Sequence, residues 1–445
     1  MLGTGLGHYM PLAAYLGFWV MCIVSLVKEP IYGLYYMLPF LPYRTMRDHF
    51  LEYPLGANVL TILVLCIFIG AILRGKRLPK SKLFWIWLLY GVYLYFSMWL
   101  GTAIGNAPAP LWLGDQNFLT WKDYMLIPLI LAEAAMVIED RKAIYRVVFI
   151  TGAALLIIDR SALLESLTRT WTSFDEDKRS GGPLGFGSNQ TGAFLAQFGV
   201  FFWGLAQFVQ KWKWKVAVYG LVALTAVTTM YTFSRGAYLS FLVAAFLLGL
   251  LKDRKLLVLL GVFLLTWQTV VPTAVRERVT MTTNANGQLE ASAQERVDLW
   301  TNAENSFMHS PIFGTGFATF QFGEHVDNLK DTHNWYVKVL VETGIIGFIF
   351  ALLLLGQMTV ASYRAFRHSS DPLCRGLGLG LLLAICSCMV ANFFGDRWTY
   401  VEITGLLWVL VAAAIRAEQL EAVPTELETE LTAPSAVKNP YLQYR

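Results

Sequence analysis

The chain has 445 residues, of which 56% are hydrophobic and 14% aromatic, with a mean hydropathy of +0.50. This excludes a soluble globular protein, and the absence of strand-like alternation favours a helical bundle over a barrel. The net charge of +4 gives no indication of nucleic-acid binding, and none of the cysteines (Cys22, Cys66, Cys374, Cys386, Cys388) lies in a long loop, so no disulfide framework or CxxC metal site is indicated.

Apolar segments long enough to cross a hydrocarbon core recur along the chain. The expected spans are about 9–27, 30–47, 54–73, 83–103, 122–138 and 143–160, then 187–209, 214–232, 236–251 and 256–272. After a polar stretch come 335–360, 374–393 and 399–416. The start has no charged region and no small-residue cleavage site, so it reads as a retained helix. The division is N-terminal helices over 1–272, a large loop over 273–334, C-terminal helices over 335–416, and a tail over 417–445 with little to bury. The fold class is all-α, a polytopic membrane bundle of about 12–13 helices.

Basic clusters set the orientation, because short cytoplasmic connections carry excess Lys and Arg. Arg74/Lys76/Arg77/Lys80/Lys82, Arg141/Lys142, Lys211/Lys213/Lys215, Lys252/Arg254/Lys255 and Arg364/Arg367/Arg375 fall in every second connection. The first fifty residues are ambiguous, since Pro30, Pro39 and Pro42 suit a hairpin or re-entrant segment as well as a span.

The large loop holds the first candidates. Ser292-Ala-Gln-Glu295 reads as a capping box opening a helix with Arg296 in its first turn and Val297, Trp300, Ala303 and Phe307 on its apolar face. Pro311, Gly314 and Gly316 then stop it. His333 is expected in the first turn of the next membrane helix, where the positive helix end favours a neutral imidazole and a nearby anion. The alternative is an interfacial cap residue without chemistry.

Cations on the outward side also need explaining. Arg235 lies in the tight turn Thr232-Phe-Ser-Arg-Gly236, where it either grips a phosphate or snorkels. Arg296 either binds an anion or pairs with Glu295, Asp298 or Glu304. Arg276 and Arg278 could hold lipid head groups. Lys178-Arg179 opens a glycine-rich turn ending at Asn189, whose amides could line an anion site. Lys338 and Glu342, four apart on one helix, are expected to pair. Trp335, Tyr336, Trp398 and Tyr400 read as interfacial aromatics. Asp175 and Asp177 have the spacing of a metal-bridged nucleotide-sugar site, a weaker alternative on a face where such donors are not supplied.

Four pieces in fixed order resemble the O-antigen ligase / O-antigen polymerase superfamily of bacterial envelope glycan transferases. They are Thr232-Phe-Ser-Arg-Gly236, Arg296-x-x-x-Trp300, Pro311-x-x-Gly-x-Gly316, and His333-Asn334 followed by Glu342-x-Gly344-x-x-Gly347. The run ending in Asn189 is similar to a further family element but lacks the proline before the Asn. The resemblance implies a GT-C type, metal-independent, inverting glycosyltransferase in the bacterial inner membrane, with its site on the periplasmic side and no cofactor. It implies a glycan donor on undecaprenyl diphosphate and an acceptor hydroxyl on lipid A–core sugar or similar. His333 would be the general base, Arg235, Arg296 and Arg179 would hold the diphosphate, and Ser234, Asn334 and Glu342 would support them. Membrane lipids are the other expected partners, and nucleic acid is not. A polymerase or a protein O-glycosylation ligase needs the same donor site, and a transporter or flippase would instead require inverted repeats and broken helices.

Overall fold

The structure is a computed structural model that describes residues 9–104, 107–111, 114–167, 173–175, 179–281, 291–322 and 332–422. Among the described residues there is no strand. The helices begin with α1 (Met10–Val27), α2 (Pro30–Met37), α3 (Arg44–Asp48), α4 (Val59–Leu73) and α5 (Lys82–Ile104). They continue with α6 (Gln116–Val137), α7 (Arg141–Leu167), α8 (Ser188–Ala206), α9 (Trp212–Tyr231), α10 (Arg235–Leu251) and α11 (Lys255–Val270). The polar stretch carries α12 (Thr273–Thr280) and α13 (Ala291–His309), before α14 (Trp335–His368), α15 (Pro372–Ala391) and α16 (Val401–Ala422).

Seven described helices are long and apolar enough to span a membrane, or eight if α11 and α12, bent by 108° around Val271–Pro272, count as one. The molecule is therefore a polytopic helical membrane protein. Two further helices of span length, α8 and α16, are instead enclosed by protein. Every residue of α8 from Thr191 to Phe202 is buried, including Thr191 and Gln197, and α16 is buried almost throughout. Between such helices in lipid, close packing rather than hydrophobic transfer drives association. Gly204 of α8 meets Gly380 of α15 so closely that a β-carbon there would stand 2.7 Å from the Gly380 Cα.

The basic connections all gather on one face. Arg74 donates to the Lys28 carbonyl at 2.7 Å, and Lys76 pairs with Glu29 at 3.5 Å and Glu139 at 2.6 Å. Arg416 donates to the Ile138 carbonyl, Arg141 lies 3.8 Å from Asp371, and Lys252 and Arg375 both cover the Phe208 ring. The opposite face is tied by Arg47 to Glu402 at 2.5 Å, Lys122 to Asn58 at 3.3 Å, and Arg44 over the Phe186 ring.

These contacts resolve the ambiguous N-terminal region. Both α1 and α4 end on the basic face, so residues 30–58 cross back between them. The expected single span at 30–47 is instead a broken path of α2, a 3-10 turn at Leu38–Phe40 and α3. Pro39 and Pro42 lack the amides that a continuous helix needs. Tyr36 anchors the path by donating to the Ala14 carbonyl at 2.8 Å.

Candidate functional site

The site begins with a broken helix. Gly344, within α14, has φ +62° and ψ −170°, a conformation that only glycine adopts readily. The break exposes backbone groups, and the loop after α13 satisfies them. Thr315 and Gly316 donate to the Val341 and Glu342 carbonyls, while Ile345 and Ile346 donate to the Pro311 and Ile312 carbonyls. Tyr93 donates to the Phe313 and Thr343 carbonyls from α5. Two of the sequence motifs, at 311–316 and 342–347, thus form one inserted joint.

Glu342 clamps the next turn. Its carboxylate accepts from the Ala318 amide at 3.0 Å and the Phe320 amide at 3.3 Å. The expected Lys338–Glu342 ion pair is not what forms. Lys338 reaches across to Asp396, 3.0 Å away in the α15–α16 connection, because that carboxylate is buried and needs a cation. Asp396 also accepts from the Trp398 and Thr399 amides and the Thr399 hydroxyl. Burial alone would raise its carboxyl, but the Lys338 ammonium and the Thr399 bonds outweigh this and hold it below the usual carboxylate range.

Beneath this connection runs an aromatic column. Ring centroids of Trp335 and Trp398 are 5.5 Å apart, those of Trp398 and Trp408 5.4 Å, and those of Trp408 and Trp87 5.2 Å. The Trp398 indole donates to the Tyr124 hydroxyl. Trp335 and Trp398, expected at the membrane interface, are fully buried.

Above the column lies a pocket of about 470 Å³ whose lining includes Asn189, Arg296, His333, Lys338, Glu342 and Arg397. His333 sits just before α14 rather than in its first turn. Asn334 is the N-cap, its side chain accepting from the Tyr336 and Val337 amides at 3.0 and 3.3 Å. Those amides are therefore engaged, so the anion attraction expected from them passes to side chains. His333 itself has φ +48°, an unfavourable conformation for a residue with a β-carbon, of the kind that clusters at functional sites.

Helix α13 lies over this end of the pocket. Its buried face is Leu299 and Ala303, packed with Phe320 and Val341 and flanked by Phe307, and of the expected stripe Ala303 and Phe307 join this cluster while Val297 and Trp300 are exposed. The Trp300 indole nevertheless donates to the Thr332 carbonyl at 2.9 Å. Arg296, one turn earlier, faces the pocket. Helix α13 is described from Ala291, next to the undescribed residues 282–290, with Ser292 in its first described turn.

The other expected residues stand beside the pocket. Arg179 donates to the Asn189 side chain at 2.6 Å and to the Thr232 carbonyl, joining the pocket wall to the α9–α10 turn. Arg235 opens α10 and donates to the Met281 carbonyl at 2.6 Å. Ser234 is the N-cap of α10, and Gly236 packs on Phe394, which lines the pocket. The amides of Gly181 and Gly182, expected to receive an anion, are taken by Glu165. Arg278 is buried over the Phe174 ring, and Arg276 donates to the Gln268 carbonyl, so each has a protein partner. Asp177 lies outside the described residues, as do Lys178 and the segments 282–290 and 323–331 of the large loop.

Arg397 is the functional candidate that sequence reasoning missed. It is buried, donates to the Asp396 and Phe394 carbonyls, and lines the pocket. The signal was present: Gly-Asp-Arg sits in an outward connection between two apolar spans, where a cation needs a reason.

Residues 220–352 match a family model described as O-antigen ligase. The match spans the α9–α10 turn, α13 and the broken start of α14, and so contains all four sequence motifs. It supports an enzyme of the O-antigen ligase superfamily. No curated protein matches the chain.

Proposed function

We propose that this chain, with its O-antigen ligase-type segment as the premise, transfers a glycan from undecaprenyl diphosphate to an acceptor hydroxyl at the periplasmic face of the bacterial inner membrane. The observation that carries this reading is the pocket itself, which combines a histidine on a strained backbone with Arg296, Lys338 and Arg397 on the face opposite the basic connections.

In the proposed reaction His333 takes the proton of the attacking hydroxyl. The acceptor oxygen bonds to the anomeric carbon as the bond from that carbon to the phosphate oxygen breaks, inverting the centre. The electron pair leaves on the diphosphate, whose charge Arg296 and Arg397 stabilise from preset positions. Arg179 and Arg235 act from the adjoining wall, where they hold Asn189 and the Met281 carbonyl. Asn334 and Ser234 hold helix ends, and Glu342 holds the 316–320 turn. The reaction as proposed needs no metal.

A polymerase would use the same site with a different acceptor. The glycan profile of a deletion strain separates the two: unattached lipid-linked polymer supports the ligase, and single capped repeats support the polymerase. An unaltered glycan profile overturns both. The break at Gly344 meets one expectation for a transporter, but the 311–316 loop fills it, which favours a fixed joint over a moving gate.

A further inference from the structure

We propose that the basic face carries a site for an anionic glycerophospholipid, in a crevice between α7, α8 and α9. The crevice has a volume of about 1040 Å³, larger than the pocket holding His333, and lies at the other end of the bundle. Its walls are apolar, with Phe149, Leu156, Phe202, Val218, Leu221 and Leu224 facing the space. All of these but Phe202 of α8 belong to α7 and α9, which read as membrane spans, so the space opens within reach of acyl chains rather than water.

The rim is cationic. Arg146 and Lys211 line the mouth, and Phe208 in the wall lies 4.5 Å from the Lys252 ammonium and 5.1 Å from the Arg375 guanidinium. The carboxylate at the rim, Asp371, is already engaged. It caps α15 through the Leu373 and Cys374 amides, accepts from the Tyr145 hydroxyl at 2.7 Å, and lies 3.8 Å from Arg141. Trp214 and Tyr145 sit at the mouth, at the level where amphipathic rings favour head groups. Basic residues on this face are expected for insertion alone, but an apolar crevice opening behind them is not. The combination selects two acyl chains under a negative head group over a zwitterion.

Gly220 supplies the test. A β-carbon there would meet nothing within 4 Å, and Gly220 lines the crevice, so a large side chain placed there is directed at the space. The purified full chain is exposed to equal phosphatidylglycerol and phosphatidylethanolamine, and retained lipid is measured by native mass spectrometry. Phosphatidylglycerol is expected to be retained preferentially, and Gly220→Trp to lower its retention about tenfold. Arg146→Glu with Lys211→Glu, both exposed, should do the same and decides the matter if Gly220→Trp lowers the melting temperature. Equal retention of the two lipids, or unchanged retention in the charge-reversed variant, overturns the proposal. So does preferential retention of undecaprenyl phosphate when it is added to the same mixture, which would give the crevice to a polyprenyl tail.

Discussion

The Trp300 indole donates to the Thr332 carbonyl at 2.9 Å, so α13 is latched to the residue immediately before His333. The Arg-x-x-x-Trp spacing acquires a physical meaning from this bond. One helical turn lets the tryptophan hold the histidine segment while the arginine faces the pocket. Trp300→Phe keeps the ring but removes the donor, a loss worth about 0.5–1.5 kcal/mol. Transfer is expected to fall about two- to tenfold with the melting temperature little changed. An unaltered rate in a purified transfer assay would reject the latch.

Removal of a general base typically costs about 10²–10⁴ in rate. His333→Ala is therefore expected to nearly abolish transfer while leaving donor binding largely intact, because the cations proposed to hold the diphosphate remain. The measurement is single-turnover transfer alongside donor binding in detergent, with and without EDTA. Near-normal turnover would reduce His333 to a structural residue, and loss of wild-type activity with chelator would reopen the Asp175/Asp177 reading.

Arg296 and Arg397 line one pocket from different elements, the first on α13 and the second in the α15–α16 connection. Replacing either by Lys keeps the charge but loses the planar fork. Each variant should lose activity strongly, with Arg235→Lys less affected because Arg235 holds the Met281 carbonyl at the margin. Steady-state rates of the three lysine variants decide the ranking. Full activity of Arg397→Lys would remove it from the site.

The Lys338–Asp396 tie fixes the connection that carries Arg397. Asp396 has a folded-state pKa below its unfolded value, so its contribution is present above the unfolded value of about 3.8 and is lost only as pH falls through the lower folded value. Thermal stability should therefore show no step from this pair between about pH 5 and 8. Asp396→Asn breaks this buried ion pair and should cost about 3–5 kcal/mol. A melting curve in detergent tests this, and an unchanged midpoint would refute it.

Gly344 cannot carry a side chain. A β-carbon would stand 2.2 Å from the Ile312 carbonyl oxygen, and the backbone conformation alone costs about 1–3 kcal/mol in other residues. Gly344→Ala should lower both the melting temperature and the activity. Gly356→Ala, further along α14 and with nothing within 4 Å of its β-carbon, should be neutral. Equal melting of the two variants would contradict the inserted joint.

By itself the sequence determined that this is a helical membrane protein, which connections share a face, and which short motifs surround the candidate chemistry. Span length, hydropathy and the alternation of basic clusters are local properties set by the bilayer, so they can be read residue by residue. The motif order placed His333 and Arg296, which the tertiary structure brings into one pocket. Only the tertiary structure decided the partners. Lys338 bonds Asp396 rather than Glu342, Trp335 and Trp398 are core rather than interface, and residues 30–48 cross as a broken path. In each case the deciding contact joins segments far apart in the chain. A buried charge takes whichever partner the fold brings within reach, and spacing along one helix does not encode that.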